Sequence, residues 1–273
     1  MARPFVTFLS DFGSDDPFVG ICQGVILRTC PDAEVIHLAH GIHPTAVGQG
    51  ARVLAASIPY LPIGVHMAVV DPGVGSQRRA LCLRSGDGRL FVGPDNGLLI
   101  PAAELSGGIE LAVEVTETAY MLESVSRTFH GRDVFAPVSG HLAAGLEPDR
   151  LGHPIDPAGL VRLREPGMAL DGLVLTAAVQ QVDRFGNVQL SATLTDLGTL
   201  FEEGRLVEVA RGDDRYFATC ASTFADVERG DLVLYEDSEH RLAVAINRGN
   251  AAELIDAELN DLLRIDFAPA ADG

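Results

Sequence analysis

A change of pattern near residue 155 constrains this chain more than any single motif. Before it, apolar runs of strand length alternate with stretches of helical period. After it, short strand-like runs follow one another with turns between them. PFVTFL (4–9) reads as a strand, and the stretch from Asp16 to Cys30 sets apolar residues at 18, 21, 22, 25 and 26, the spacing of one helix face. Asp15 and Asp16 read as caps of that helix. EVIHLAH (34–40) reads as a strand, Thr45 to Ile58 as a helix, GVHMAVVD (64–71) as a buried strand and Gly131 to Ala144 as another helix. ALCLR and RLFVG are short enough to read as antiparallel additions. Such alternation builds an α/β layer around a mostly parallel sheet.

The segment HPIDPAGLVRLREPG carries three prolines and reads as a linker. From Leu170 onward DGLVLTAAVQQVD, RLVEVA, RYFATC, DLVLYED and RLAVAIN are strand candidates, and one short helix candidate falls near 251–257. That is the pattern of a small antiparallel barrel or sandwich. The fold class expected is therefore α/β: an N-terminal α/β domain with a mostly parallel central sheet over 1–155, a linker over 156–169, and a C-terminal antiparallel β-barrel domain over 170–273. The closing APAADG is expected to fray.

Composition narrows the partners. With 47% hydrophobic and 21% charged residues in 273, the chain reads as globular and not disordered. No apolar run reaches the roughly 18–20 residues of a membrane helix. The start, MARPFVTFL, turns straight into a strand-like run without a signal-peptide layout, so a cytoplasmic protein is expected. A net charge of −18 without a basic patch argues against nucleic acid. Cys22, Cys30, Cys82 and Cys220 lack CxxC spacing and sit in apolar surroundings, as buried reduced thiols do.

Ligands of α/β sheets sit outside the carboxyl ends of the strands. The loops at such ends are SDFGSDD (10–16), DPGVGSQRR (71–79), and VGPDNG (92–97) with TFHGRD (128–133). None contains GxxxxGK[ST] or GxGxxG, which disfavours a nucleoside triphosphate or a dinucleotide. DFG and HGRD also occur in protein kinases, but here their order and context are wrong. Asp11 can either cap the following segment or accept both hydroxyls of a ribose diol. Asp71 before proline is equally a turn residue, Arg78 a surface charge and His130 a packed histidine. Their combination points further. Asp71 and Arg78, seven apart on one loop, can pair in bidentate geometry and orient a water or an imidazole, and the second loop offers His130, Arg132 and Asp133. His37, His40 and His43 recur at three-residue intervals, yet His37 lies in a strand pattern and His43 in the loop beyond. Convergence on one ion is not expected, and no metal is assigned.

SDFG (10–13), DPFVGICQGVI (16–26), DPGVGSQRR (71–79), FVGPDNGLL (91–99), TFHGRDVFAP (128–137), VDRFGNVQL (182–190) and INRGNAAEL (246–254) occur in one order. Together they resemble the S-adenosyl-L-methionine (SAM) hydroxide adenosyltransferases, relatives of fluorinating and chlorinating enzymes that use the same substrate. The resemblance spans about residues 5–265. It implies an α/β domain followed by a β-barrel, and a homotrimer whose active sites lie between the amino-terminal domain of one subunit and the carboxyl-terminal domain of the next. It also implies a catalytic triad of Asp71, Arg78 and His130, with Asp11 holding the ribose. Asp183 would hold the methionine amino group, Phe185 and Asn187 the adenine, and Asn250 and Ala251 would line the adenine pocket. Ser238 is retained for the methionine carboxylate. DSEHR (237–241) departs from the family there, because Glu239 sets a carboxylate where another must bind; either Arg241 or a backbone amide compensates. Gly131 stands where a fluorinating relative carries serine.

The reaction implied is hydrolysis of SAM to adenosine and L-methionine, by in-line attack of an activated water or hydroxide on ribose C5′. No cofactor is implied, since SAM is the substrate; the partners are SAM and water. Two alternatives remain, a chlorinase forming 5′-halo-adenosine and a non-catalytic SAM-binding sensor. The intact triad disfavours both.

Overall fold

The structure, a computed structural model, describes residues 3–164 and 167–268. Residues 165 and 166 of the expected linker, and the expected fraying from residue 269 on, lie outside the described residues. The chain divides into two compact units, Met1–Leu163 and Arg164–Gly273.

The first unit holds β1 (Phe5–Ser10), α1 (Phe18–Thr29), β2 (Glu34–Ala39), α2 (Val47–Ser57), β3 (Val65–Val69), β4 (Ala80–Ser85), β5 (Leu90–Pro94), α3 (Ile100–Leu105), β6 (Ile109–Val115), α4 (Ala136–Ala143) and β7 (Gly152–Pro154). Its sheet runs β2-β1-β3-β5-β4-β6-β7. The pairs β1–β2, β1–β3 and β3–β5 are parallel, whereas β4 is antiparallel to both β5 and β6, and β6 to β7. The sheet is thus parallel at one end only. RLFVG departs from the antiparallel expectation on one side. A tight turn at Gly86–Gly88 forces β4 against β5 as a hairpin, and β5 then takes the place beside β3 with parallel register.

The strands in the middle are covered on both faces, which is why β3 reads as an unbroken apolar run. Val65, Met67 and Val69 enter one core with Cys22, Ile26 and Phe135, while Ala68 and Val70 enter the other with Leu54, Phe91 and Leu98. Helix α1 starts differently from expectation. Pro17 holds the cap position and no side chain caps the helix, so Asp15 and Asp16 stay exposed. Proline has no side-chain acceptor, so the first-turn N–H groups of α1 receive no side-chain cap. All four cysteines are free and buried, and burial pushes the Cys82 thiol up to about 12.

The second unit holds β8 (Met168–Asp171), β9 (Val174–Val182), β10 (Val188–Leu190), α5 (Leu194–Leu197), β11 (Leu206–Arg211), β12 (Asp214–Cys220), β13 (Leu232–Glu236), β14 (Leu242–Ile246), α6 (Ala251–Ile255) and β15 (Leu262–Asp266). Seven strands close into a barrel, β9-β10-β14-β13-β12-β11-β15 and back to β9, with β8 added outside the ring. Alternation along the strands fills it: Val207 and Val209 of β11 and Leu263 and Ile265 of β15 point inward, with Ala251 and Ile255 of α6 in the same core. One pair, β12–β13, is parallel, because the intervening chain crosses back through a short turn at Phe224–Asp226 and does not form a hairpin.

Candidate active site

The carboxyl ends of β1 and β3 are neighbours, since Ser10 pairs with Val69. Asp11 and Asp71 therefore emerge side by side. After Asp71 the chain makes two tight turns, Val74 N–H to the Asp71 carbonyl (3.2 Å) and Ser76 N–H to the Gly73 carbonyl (3.1 Å). The Ser76 hydroxyl donates to the same Gly73 carbonyl at 2.6 Å and accepts from Arg78 N–H at 3.2 Å. These turns bring Arg78 back onto Asp71. Its Nε donates to both carboxylate oxygens at 3.0 Å, and its Nη2 also donates to Oδ2. The side chains are only 10% and 5% exposed, so little water competes with the pair. Asn96 fixes the same strand end, donating from Nδ2 to the Val70 carbonyl at 2.8 Å. Arg79 turns the other way to Asp95 (Nε to Oδ2, 2.8 Å), so consecutive arginines serve two different carboxylates.

Arg78 Nη2 also meets His130 Nδ1 at 2.9 Å. A guanidinium has only donors, so Nδ1 must accept and the neutral ring carries its proton on Nε2. Protonating Nδ1 would set N–H against N–H. Burial first, and the Arg78 charge second, hold His130 below the usual histidine value of 6.5, with Asp71 and Asp133 pulling weakly the other way. The guanidinium also lies over the Phe135 ring at 5.2 Å.

Two features join loops far apart in sequence. Gly75 has φ +77°, and a Cβ there would come within 2.4 Å of the Arg127 carbonyl oxygen, so the Asp71 loop can lie directly on the His130 loop only with glycine. The His130 loop is in turn tied down by Asp133, fully buried, which accepts from Arg132 Nε (2.5 Å), Arg132 Nη2 (3.0 Å) and Ser126 N–H (2.8 Å). Burial opposes that charge, but Arg132 and the Ser126 amide outweigh it and hold Asp133 below the usual carboxylate value. Arg132 and Asp133 thus shape the loop and leave His130 to face outward from it. The helix expected from Gly131 opens as a single π turn, Gly131–Phe135, before α4. Such turns recur at functional sites.

Asp11 accepts from Thr45 N–H through Oδ2 at 3.2 Å. Burial raises its carboxyl above the usual value and the nearby Asp71 charge adds to that, while the Thr45 amide works against both. Gly131 lies under an aromatic group: a Cβ on it would stand 2.8 Å from Phe12 Cζ, and the Phe12 ring meets Phe129 and Phe18 edge-on at 5.7 and 6.2 Å. Phe135, Gly75, Asn96 and Thr45 were not singled out from sequence, though Gly75 and Asn96 stood in loops that were.

The histidine series does not converge. His37 Nδ1 meets His40 Nε2 at 2.7 Å, whereas His43 Nδ1 donates to the Pro44 carbonyl at 3.2 Å. Among the described residues no group of three or more His, Cys, Asp and Glu is placed to hold a metal ion.

The residues expected in the second unit sit in turns of that unit. Asp183 Oδ1 accepts from Phe185 N–H (2.8 Å) and Asn187 N–H (2.9 Å), and Oδ2 from Asn187 Nδ2 (2.7 Å). That folds 183–187 into a closed turn and leaves the Phe185 ring 62% exposed. Asn250 caps α6 through Glu253 N–H (3.0 Å), and Ala251 behind it is fully buried. Ser238 is exposed on the β13–β14 turn. Glu239 and Asp237 of that turn both accept from Gln189 Nε2, at 3.1 and 2.7 Å.

A sheet whose strand ends carry an Asp-Arg-His constellation, followed in sequence by a closed barrel, defines a two-domain α/β plus β-barrel class. The SAM hydroxide adenosyltransferase N-terminal domain profile matches residues 6–152, the corresponding C-terminal domain profile matches residues 177–264, and the chain belongs to that family. An (R)-S-adenosyl-L-methionine hydrolase of Salinispora tropica is 46% identical to it over 96% of this chain and 97% of its own. A fluorinase of an Actinoplanes species is 29% identical over 90% of this chain and 91% of its own. Among solved structures, an uncharacterized conserved protein from Thermotoga maritima superposes with a TM-score of 0.87 at 32% identity, covering 96% of this chain and 99% of that one.

Proposed function

We propose that this protein is an enzyme that hydrolyses SAM to adenosine and L-methionine. The observation that carries the reading is the bond from Arg78 to His130 Nδ1, anchored by the buried Asp71 carboxylate. A sulfonium already makes methionine a good leaving group, so the chemical burden falls on the nucleophile. With its proton on Nε2, His130 presents a donor to an oxygen beside a fixed guanidinium charge. A hydroxide accepts that bond and keeps lone pairs for C5′. The Arg78 charge behind this donor favours hydroxide over water; one proton of the water leaves to solvent before the C–O bond forms, and the other stays on the 5′-hydroxyl as the C–S bond breaks and neutral methionine departs. Arg78 and Asp71 position the histidine and fix its neutral tautomer; Asp11 receives the ribose diol; Asp183, Phe185, Asn187, Ser238, Asn250 and Ala251 receive the methionine and adenine ends. Gly131 keeps the Phe12 ring packed over the His130 loop and adds no hydroxyl for a halide. No cofactor takes part. The protein works as a cytoplasmic homotrimer; no helix among the described residues is long and apolar enough to cross a membrane.

The relatives' name specifies the (R) sulfonium epimer, and we take that epimer as the substrate here. Incubation with each separated epimer, with and without chloride or fluoride, tests the reading. Adenosine and methionine from the (R) epimer are expected, unaffected by halide. A main product of 5′-halo-adenosine would make the protein a halogenase, and tight binding without turnover would make it a sensor.

A further inference from the structure

The turn that carries Asp11 is held at both ends by one residue, His40, immediately after the neighbouring strand β2. The His40 carbonyl accepts from Gly13 N–H at 2.8 Å, and the His40 ring meets the Ser10 hydroxyl through Nδ1 at 2.7 Å. Ser10, fully buried at the end of β1, also accepts from Phe12 N–H at 3.3 Å. The other ring nitrogen of His40 is bonded to His37 Nδ1 at 2.7 Å, and the ring stands edge-on to Phe8 at 4.7 Å. Packing alone would be served by an aliphatic side chain at this place just past β2. A ring with both nitrogens committed does something else: it fixes the four residues Ser10–Gly13 in one arrangement.

Within that turn, Asp11 is the carboxylate beside Asp71 and Phe12 is the ring that covers Gly131, so its position is felt by both catalytic loops. We infer that His40 is a positioning residue, which clamps the Ser10–Gly13 turn and so sets the Asp11 carboxylate for substrate. Burial and the neighbouring His37 push the His40 ring down to about 4, so the clamp is neutral wherever the enzyme operates near neutrality. The inference rests on the hydrolase reading for what Asp11 holds. A displacement of about 1 Å in a positioned group can cost on the order of a hundredfold in rate.

The test measures kcat and KM for SAM hydrolysis in His40→Ala, His40→Asn and Ser10→Ala, each alone and on an Asp11→Ala background. His40→Ala is expected to raise KM by about tenfold or more with a smaller change in kcat. His40→Asn, whose amide reaches the place of Nδ1, is expected to recover most of that loss. On the Asp11→Ala background, His40→Ala is expected to change kcat/KM by less than about twofold, because the residue acts through Asp11. Should His40→Ala not fold, Ser10→Ala carries the same expectation. A His40→Ala enzyme within about twofold of wild type, or a loss of equal size with and without Asp11, overturns the inference. The wild type assayed in parallel separates the failures: no turnover there sinks the hydrolase reading, whereas normal turnover with a silent His40→Ala sinks this one alone.

Discussion

The strand-end loops of the first unit and the turns of the second use the same side-chain types in opposite ways. In the first unit the candidate residues are joined across the sequence: Arg78 bonds His130 across 52 positions, and Asp11 is bonded by Thr45 across 34. In the second, Asp183 and Asn250 bond their own turns, two to four residues on. The distant set exists only when the whole sheet is formed, and its bonds fix charge and tautomer. The local set fixes the shape of a surface. Substitutions should therefore separate, those at Asp71, Arg78 and His130 reaching kcat and those in the second unit reaching KM or stability.

The largest effect is expected at the triad. Asp71→Asn and His130→Ala should each lower kcat by roughly 10²–10³, as loss of a preorganised donor to a reacting oxygen, or of the group that holds it, does, while Asp183→Asn should act mainly on KM. Steady-state kinetics on the three variants check this, and an Asp183→Asn loss of kcat as large as the triad's would erase the distinction between the two regions. Arg78→Lys belongs with the triad, since an ammonium cannot span Asp71 and Nδ1 in a planar fork.

Acid should weaken the first unit next. Burial, helped by the Arg89 charge, pushes His66 down to about 4 from 6.5, so the native ring is neutral where the unfolded one is charged. Its contribution is complete above pH 6.5 and is lost as pH falls toward 4, on the order of 3 kcal/mol in all. Urea midpoints between pH 7 and pH 4.5 should show the loss, and His66→Gln should flatten it. Activity has its own acid limb: His130 must be neutral to accept from Arg78, so kcat/KM should rise with pH through a value below 6.5.

Gly75→Ala comes third. A positive φ and a Cβ 2.4 Å from a carbonyl oxygen should cost about 1–3 kcal/mol and part the two loops, which denaturant titration and kcat together would show. If stability drops but kcat does not, the contact between the loops is not what holds Arg78 to His130. Smallest is Asn250→Ala, expected to cost about 1 kcal/mol as a lost helix cap, with Asn250→Ser retaining most of it in the same titration.

The sequence carried the division of architecture because it is written in period: the buried run of β3 and the alternating Val207 and Val209 differ in ways that need no partner to be seen. It carried Asp71 and Arg78 because they stand in a short loop at a strand end, and His130 because it stands just before a helix-like stretch, although it lies well beyond the end of β6. What stayed hidden depended on contacts across the fold. RLFVG lies parallel to β3 because of where a hairpin is inserted, and β12–β13 is parallel because of a crossover, neither of which leaves a period. Asp15 and Asp16 looked like caps until Pro17 was seen to occupy that place. His40 looked like one third of a histidine series, and only the pairing of β1 with β2 showed that it holds the Asp11 turn.

The account turns on an oxygen from solvent reaching C5′ of the ribose. Turnover of the (R) epimer in ¹⁸O-labelled water, followed by mass analysis of both products, tests that directly. The label should appear in the 5′-hydroxyl of adenosine and be absent from methionine. Unlabelled adenosine, or label found in a methionine-derived product, would contradict attack at that carbon and remove the role given to Asp71, Arg78 and His130.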